Sequence, residues 1–194
     1  RKKGEGYGEA LILEYALEHS LFVHQCDFLV KITGRLKLLN VNSMIGFHRY
    51  ILPHCDIQSE MDRRERYSDS RMLITDKGFL QHSFLARKER IDDSKGCNFE
   101  HILFTSIDEQ KDFVFYPFLI RPLWRGISGT NGREYWEGNY TSLKLAYFKR
   151  MLNCMTEYNM CHPHNKPSMG VRLVLGMAGM AVGTVLRFFD WIKR

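Results

Sequence analysis

Residues 169–192, MGVRLVLGMAGMAVGTVLRFFDWI, are the stretch around which the predicted fold is organised, and Lys193 and Arg194 follow them. The uncharged residues from Leu173 to Leu186 would cover ~21 Å as a helix, whereas the hydrocarbon core of a bilayer is ~30 Å thick. Flanking arginines can extend their charged ends to the membrane interface, where the neighbouring aromatic rings also sit. The stretch therefore predicts a short membrane-spanning helix.

One side of this predicted helix carries small and charged residues. At about 100° per residue they fall on one arc of the helix, and two of the glycines form a GxxxG pair. Such a side suits close packing on another protein helix, because charges facing lipid would be costly. The predicted packing residues are Gly176, Gly179, Gly183, Arg172, Arg187 and Asp190. Three other interpretations remain: a buried helix of a soluble protein, a lipid-surface helix, and a free single-span anchor.

The last helix resembles the GxxxG helices of the small membrane subunits of mitochondrial ATP synthase. The resemblance is carried by Gly179 and Gly183 and covers the last helix only. Because GxxxG is a general packing motif, the resemblance identifies no family.

The charge pattern and the cysteine content limit the classes to which the protein can belong. The net charge is +6, but the basic residues are interleaved with acids, as in DRRER at residues 62–66, which is typical of solvated surfaces and disfavours a nucleic-acid partner. The five cysteines are an odd number without a CxxC motif. This pattern indicates free thiols in a reducing compartment.

The remaining pattern predicts an α+β domain at residues 9–140, after a flexible lead-in at residues 1–8. Its expected parts are an N-terminal helix at 9–32 packed on a small antiparallel sheet, hairpins at 71–87 and 101–120, and weakly indicated strands at 35–52. Residues 56–70 are expected to be an exposed helix or loop, and residues 122–139 an irregular loop. A juxtamembrane helix and linker (141–167) precede the transmembrane segment (168–194). Pro117 lacks an N–H group and so predicts an edge strand or a bulge.

The loop at residues 122–139 suggests two kinds of site. Glycine N–H groups and two guanidinium groups would favour a bound anion, and the residues concerned are Arg125, Gly126, Gly129, Gly132 and Arg133. The glycine spacing matches no phosphate-binding fingerprint. Contact with a neighbouring subunit is the preferred interpretation, with Trp124, Tyr135 and Trp136 as the interface anchors.

Metal and catalytic sites find less support. Four residues near the predicted membrane helix could act as metal ligands: Cys154, Cys161, His162 and His164. Their spacing differs from the paired ligand clusters of structural zinc sites. No catalytic pairing of histidines and acids is visible. We therefore predict no metal, no cofactor and no catalytic residue.

Taken together, the sequence predicts a non-catalytic accessory subunit of a multi-protein complex in the mitochondrial inner membrane, of the respiratory-chain or ATP-synthase type. Its partners would be other subunits and membrane lipid. The domain is expected in the matrix, because a two-residue tail crosses a membrane at far lower cost than a charged domain. The alternatives are a soluble organellar ribosomal or RNA-associated protein, and an enzyme that binds phosphate at residues 126–132.

Overall fold

A computed structural model describes residues 3–52, 54–118, 120–127, 132 and 134–136. The helices are α1 (Glu5–His19), α2 (Leu21–Gln25), α3 (Val41–Ile51) and α4 (Phe99–Glu109). The strands are β1 (Leu29–Ile32), β2 (Leu36–Leu38), β3 (Ile57–Ser59), β4 (Met61–Asp62), β5 (Tyr67–Ser68), β6 (Met72–Thr75), β7 (Phe115–Pro117), β8 (Trp124–Ile127) and β9 (Glu134–Trp136). A π-helical segment (Phe79–Phe84) continues into a 3₁₀ segment (Leu85–Arg90), and a 3₁₀ turn covers Asp93–Lys95.

Strand β6 lies inside a four-stranded sheet of order β1-β6-β3-β7. It runs antiparallel to both of its neighbours, whereas β7 pairs with β3 in parallel. All four residues of β6 are buried, as expected for a strand that is covered on both faces. The edge position of β7, which contains Pro117, agrees with the expectation that this proline lies in an edge strand.

The two faces of this sheet contribute to two separate cores, because successive side chains of a strand point to opposite faces. Leu73 packs with Phe79, Phe84 and Leu103 of the helical segments. On the opposite face Met72 and Ile74 belong to the second core. Its other buried members are Leu36, Leu38, Met44, Phe118 and Trp124. The sheet is thus enclosed by helices on one side, and by α3 and the second sheet on the other.

The second sheet has the order β2-β8-β9 and explains one glycine. Gly126 has a φ of 140°, and a Cβ atom there would lie 3.2 Å from the Arg35 carbonyl oxygen and 3.2 Å from Leu36 Cδ2. Glycine is therefore required by the close approach of β8 to β2.

The α+β class predicted from the sequence is confirmed, with two differences in detail. The main sheet is mixed rather than antiparallel, because β7 joins it in parallel. Helix α1 packs mainly on the 3₁₀ segment Leu85–Arg90 and on α4 rather than on the sheet.

Two predicted strands are helical in the structure. The second strand expected in the 71–87 hairpin is instead the π and 3₁₀ run, which begins where Asp76 Oδ1 accepts a hydrogen bond from the Phe79 N–H at 2.9 Å. The strand expected at 101–107 is part of α4, in which Asn98 caps the helix by accepting from the His101 N–H at 3.1 Å.

Other boundaries also differ from the prediction. The single helix expected at residues 9–32 is instead divided into α1, α2 and, in its last four residues, strand β1. Helix α1 begins at Glu5, within the lead-in expected to be flexible at residues 1–8. Residues 35–52 contain β2 and then α3, while the irregular loop at 122–139 contains β8 and β9. The segment 56–70 was expected to be exposed, but Ile57, Gln58 and Ser59 of β3 are all buried in the main sheet.

The predicted juxtamembrane segment (141–167) and membrane helix (168–194) lie outside the described residues. Within the part of the chain that the structure describes, no helix has both the length and the apolar character needed to cross a bilayer.

Candidate interaction surface

Helix α1 is apolar on its outer side as well as on its inner side. Gly8, Leu11, Ile12 and Tyr15 are spaced i, i+3, i+4 and i+7, so they share one helical face. Ile12 is 69% exposed and Tyr15 is 65% exposed. This face points away from the first core, against which Leu13 and Leu17 of the same helix pack among the described residues.

Helix α2, which follows α1 along the chain, exposes two more large apolar side chains. Leu21 is 76% exposed and Phe22 is 84% exposed. We use the name outer patch for the five exposed apolar residues of α1 and α2, which are Leu11, Ile12, Tyr15, Leu21 and Phe22. A group of large apolar side chains left in water is typical of a docking surface.

Gly8 has no packing role in the described part of the chain. A Cβ atom built on it would meet no atom within 4 Å. Glycine in a helix interior costs about 0.5–1 kcal/mol relative to alanine. Because Gly8 has no side chain, another helix could approach the backbone of α1 closely at this point, beside Leu11 and Ile12.

The inner side of α1 is held firmly against the domain. Ala10 is completely buried, and Leu13 and Leu17 pack on the first core. Lys88 Nζ bonds to the Glu14 carboxylate, and Lys31 Nζ lies 2.5 Å from Glu9 Oε1. The outer patch is therefore carried by a helix whose orientation is fixed from behind.

A cluster of charged groups fixes the start of α1. Glu89 accepts from Lys3 Nζ at 2.6 Å and from the Tyr7 hydroxyl at 2.8 Å. These hydrogen bonds lower the pKa of the Glu89 carboxyl and raise the pKa values of Lys3 and Tyr7. All three groups are at the surface, so the cluster orients the helix more than it stabilises the fold.

A groove of about 1390 Å³ adjoins the outer patch, and Ile12 belongs to both. Among the described residues, eight carboxylates and two arginines line it. The acids are Glu5, Glu9, Glu60, Asp62, Glu65, Asp69, Asp93 and Glu100, and the bases are Arg35 and Arg71. The groove is thus acidic by six formal charges, in a chain whose net charge is +6.

Several contacts shape the groove wall. Ser70 Oγ donates to Glu100 Oε1 at 2.5 Å, and Arg71 Nε donates to Asp69 Oδ2 at 2.8 Å. His101 packs edge-on against Tyr67 with a centroid distance of 6.1 Å, and its Nδ1 atom is buried without a hydrogen-bond partner among the described residues. The wall therefore combines fixed polar groups with aromatic surface.

The predicted interface anchors lie at the second sheet. Trp124 is 2% exposed and packs in the second core, with the Arg71 guanidinium 5.7 Å from its ring centroid. Its ring is therefore taken up by this chain and is not available to a neighbouring subunit. Tyr135 and Trp136 are in β9, and their interface role stays a prediction.

The predicted anion-binding residues do not form one described loop. Arg125 and Gly126 are in strand β8, and Gly126 pairs with Tyr135 across a hairpin. Gly132 has a φ of 66° in the connection between the two strands. Gly129 and Arg133, together with the predicted helix-packing residues (Gly176, Gly179, Gly183, Arg172, Arg187 and Asp190), lie outside the described residues.

Among the residues that the structure describes, no three His, Cys, Asp or Glu side chains are grouped as a metal site would require. Cys26, Cys55 and Cys97 are free thiols. Cys154, Cys161, His162 and His164 lie outside the described part.

The outer patch was not found from the sequence, although its signal was present. The helical spacing of Leu13, Leu17, Leu21, His24 and Phe28 predicts one apolar face that packs on the core, but Leu21 is 76% exposed. Leu11, Ile12 and Tyr15 form a second face, which a search for a single amphipathic stripe overlooks.

Comparison with protein-family models, with curated proteins and with solved structures finds no match to this chain.

Proposed function

We propose that this chain is a non-catalytic accessory subunit of a membrane-bound multi-protein complex, and that the outer patch docks it onto a neighbouring subunit. The observation that carries the proposal is the exposure of Ile12, Tyr15, Leu21 and Phe22 on a helix pair at the surface. Leaving such side chains in water is unfavourable by about 1.5–3 kcal/mol for each large one, relative to full burial. Contact with another subunit would recover part of this free energy.

The support of α1 from behind favours a docking role. A preformed surface loses little conformational entropy on binding, so more of the contact energy appears as affinity. Glu9 forms an ion pair with Lys31, and Glu14 forms one with Lys88. These pairs hold the outer patch in a fixed orientation in the unbound chain.

The membrane part of the proposal is supported by the sequence. The apolar stretch 169–192, with its glycine and charge stripe, would anchor the chain and pack on another helix of the complex. The proposed location is the mitochondrial inner membrane, in a complex of the respiratory-chain or ATP-synthase type, with the domain in the matrix. Free thiols at Cys26, Cys55 and Cys97 are compatible with that reducing compartment.

The docking proposal is tested by incorporation of variants into the native complex, measured by native-gel mass after mild detergent extraction. We expect Ile12→Ser and Phe22→Ser to reduce incorporation, because each removes apolar contact area. The matched controls are Leu39→Ser and Tyr50→Ser, since Leu39 is 50% exposed and Tyr50 is 75% exposed, both away from α1 and α2. Equal incorporation of test and control variants would exclude docking through this surface.

The membrane proposal has its own test. A spanning chain stays in the pellet on alkaline carbonate extraction, whereas an RNA-associated protein leaves its particle at high salt. Gly179→Leu and Gly183→Leu should retain membrane insertion and lose incorporation into the complex, since leucine blocks close helix approach. Release of the intact chain by carbonate would contradict the anchor.

A further inference from the structure

We propose that the outer patch and the adjoining acidic groove together bind a basic amphipathic helix of a neighbouring subunit. This inference rests on the proposed docking function and adds the chemistry of the partner. Two observations support the inference: the helical spacing of the exposed apolar residues on α1, and the acidic residues that line the adjoining groove.

The spacing of the apolar residues fits a helical partner. Gly8, Leu11, Ile12 and Tyr15 repeat at i, i+3, i+4 and i+7, which is the pattern of a helix that packs along another helix. Gly8 offers the point of closest approach, since no atom of the described chain lies near its missing side chain. The 15 residues of α1 span about 22 Å at the helical rise, so about four turns of partner helix can lie along it.

Four glutamates flank this seam, and three of them are ion-paired within the chain: Glu5 with Arg35, Glu9 with Lys31 and Glu14 with Lys88. Glu5 and Glu9 lie on the groove side of α1, and Glu14 and Glu18 lie on its other flank. The side chains of Glu5 and Glu18 are 74% and 63% exposed. With six more carboxylates than arginines, the groove extends this acidic character beyond Ile12. A partner helix with lysine or arginine beside its apolar side would complement both flanks.

Charge also argues against two other occupants. A lipid surface rich in anionic headgroups would be repelled by these carboxylates. In a two-fold dimer through α1, an antiparallel helix pair would bring each flank against the same flank of the other copy, so Glu5 and Glu9 would lie along Glu5 and Glu9 of the second copy and acid would face acid. A basic helix from a different subunit avoids both conflicts.

The test uses the full chain in a mild non-ionic detergent, with the photo-cross-linker p-benzoylphenylalanine in place of Ile12. The probes are two 18-residue amphipathic helices, one of Leu and Lys and the other of Leu and Glu. We expect the Lys peptide to cross-link at least about tenfold more than the Glu peptide at low salt, and the difference to shrink at high salt as the charges are screened. Detection at position 12 separates binding at the patch from binding to micelles.

Charge variants locate the effect. Glu5→Gln combined with Glu18→Gln should lower cross-linking of the Lys peptide about fivefold, since each surface charge contributes a few-fold. The matched control combines Glu109→Gln with Asp112→Asn, which removes two surface acids outside the patch and the groove, and should leave the yield unchanged.

Several results would overturn the inference. Equal yields for the two peptides would show that charge does not select the partner. A cross-link from position 12 to a second copy, or to residues 142–160 of the same molecule, would assign the patch to those occupants. If the peptides fail to differ while Ile12→Ser still removes the subunit from its complex, the docking function stands and the partner chemistry is wrong. If Ile12→Ser is incorporated normally, the docking function itself fails.

Discussion

The ion pair between Lys31 and Glu9 joins helix α1 to strand β1, and its two ends are unequally buried. Lys31 Nζ lies 2.5 Å from Glu9 Oε1, bonds to the Ser70 carbonyl oxygen, and sits 5.2 Å from the centroid of the Phe99 ring. The Lys31 side chain is 9% exposed, whereas that of Glu9 is 35% exposed. We therefore expect replacement of the acid to destabilise the fold more than replacement of the base.

The magnitudes follow from what each change leaves behind. Glu9→Gln leaves a buried ammonium group with only neutral partners, and removing one partner of a buried pair costs ~3–5 kcal/mol. Because Glu9 is partly screened by water, we expect a loss of about 2 kcal/mol. Lys31→Met removes the buried charge and fills a similar volume, while the Glu9 carboxylate can turn to water. Its expected cost is within about 1 kcal/mol.

Urea unfolding of the purified chain, followed by intrinsic fluorescence, measures these losses. Trp124 is 2% exposed, so its emission should change when the second core opens. Glu5→Gln is the matched control, because the Glu5 and Arg35 side chains are both mostly exposed and their pair contributes little. Equal losses for Glu9→Gln and Glu5→Gln, or a larger loss for Lys31→Met than for Glu9→Gln, would refute the reasoning.

Four further predictions concern the described residues. Gly126→Ala should lower the free energy of unfolding by about 1–3 kcal/mol, because the φ of 140° and the 3.2 Å approach to the Arg35 carbonyl oxygen oppose a side chain. Gly8→Ala should raise the free energy of unfolding of the isolated chain by up to about 1 kcal/mol. Urea unfolding measures both changes. Burial lowers the pKa of His48 below its usual 6.5, although a hydrogen bond to Gln58 opposes the shift. The folded state thus binds fewer protons in that window, so stability is full above pH 6.5 and falls as the pH drops through it. His48→Gln should flatten this slope in melting temperatures recorded from about pH 8 to pH 5, and an unchanged slope would assign it to other groups. Leu73→Ala should cost about 2–5 kcal/mol by calorimetry, because Leu73 is completely buried, and a loss below about 1 kcal/mol would contradict the assigned packing.

The sequence-based assignment is wrong where residues that favour strands form a helix in the structure. Residues 101–107 are rich in β-branched and aromatic side chains, which favours a strand. In α4, however, Phe99, Ile102, Leu103 and Ile107 are buried at helical spacing. Strand propensity spans only about 1 kcal/mol, so burial of this face against the sheet prevails.

Part of the candidate surface could also be predicted. The helical spacing of Leu13, Leu17 and Leu21 predicts the core-facing side of this region. Leu13 and Leu17 do pack on the first core, whereas Leu21 is 76% exposed. It does not show that Leu11, Ile12 and Tyr15 remain outside, because that depends on where the 3₁₀ segment Leu85–Arg90 and α4 pack. The acidic groove is assembled from α1, the β4–β5 hairpin and the start of α4, and no sequence window contains them together.

Three features could be predicted from the sequence alone: the α+β class, a strand that begins near residue 71, and an edge position for the strand that contains Pro117. These features follow from local causes, namely hydrophobic composition and a missing N–H group, which act wherever the segment lies. Packing between distant segments sets the parallel pairing of β7, the helical conformation of residues 101–107, and the choice of which apolar side of α1 faces water. Each of these outcomes depends on contacts between distant segments, and the free energy of burial at such contacts exceeds the preferences of the segments themselves.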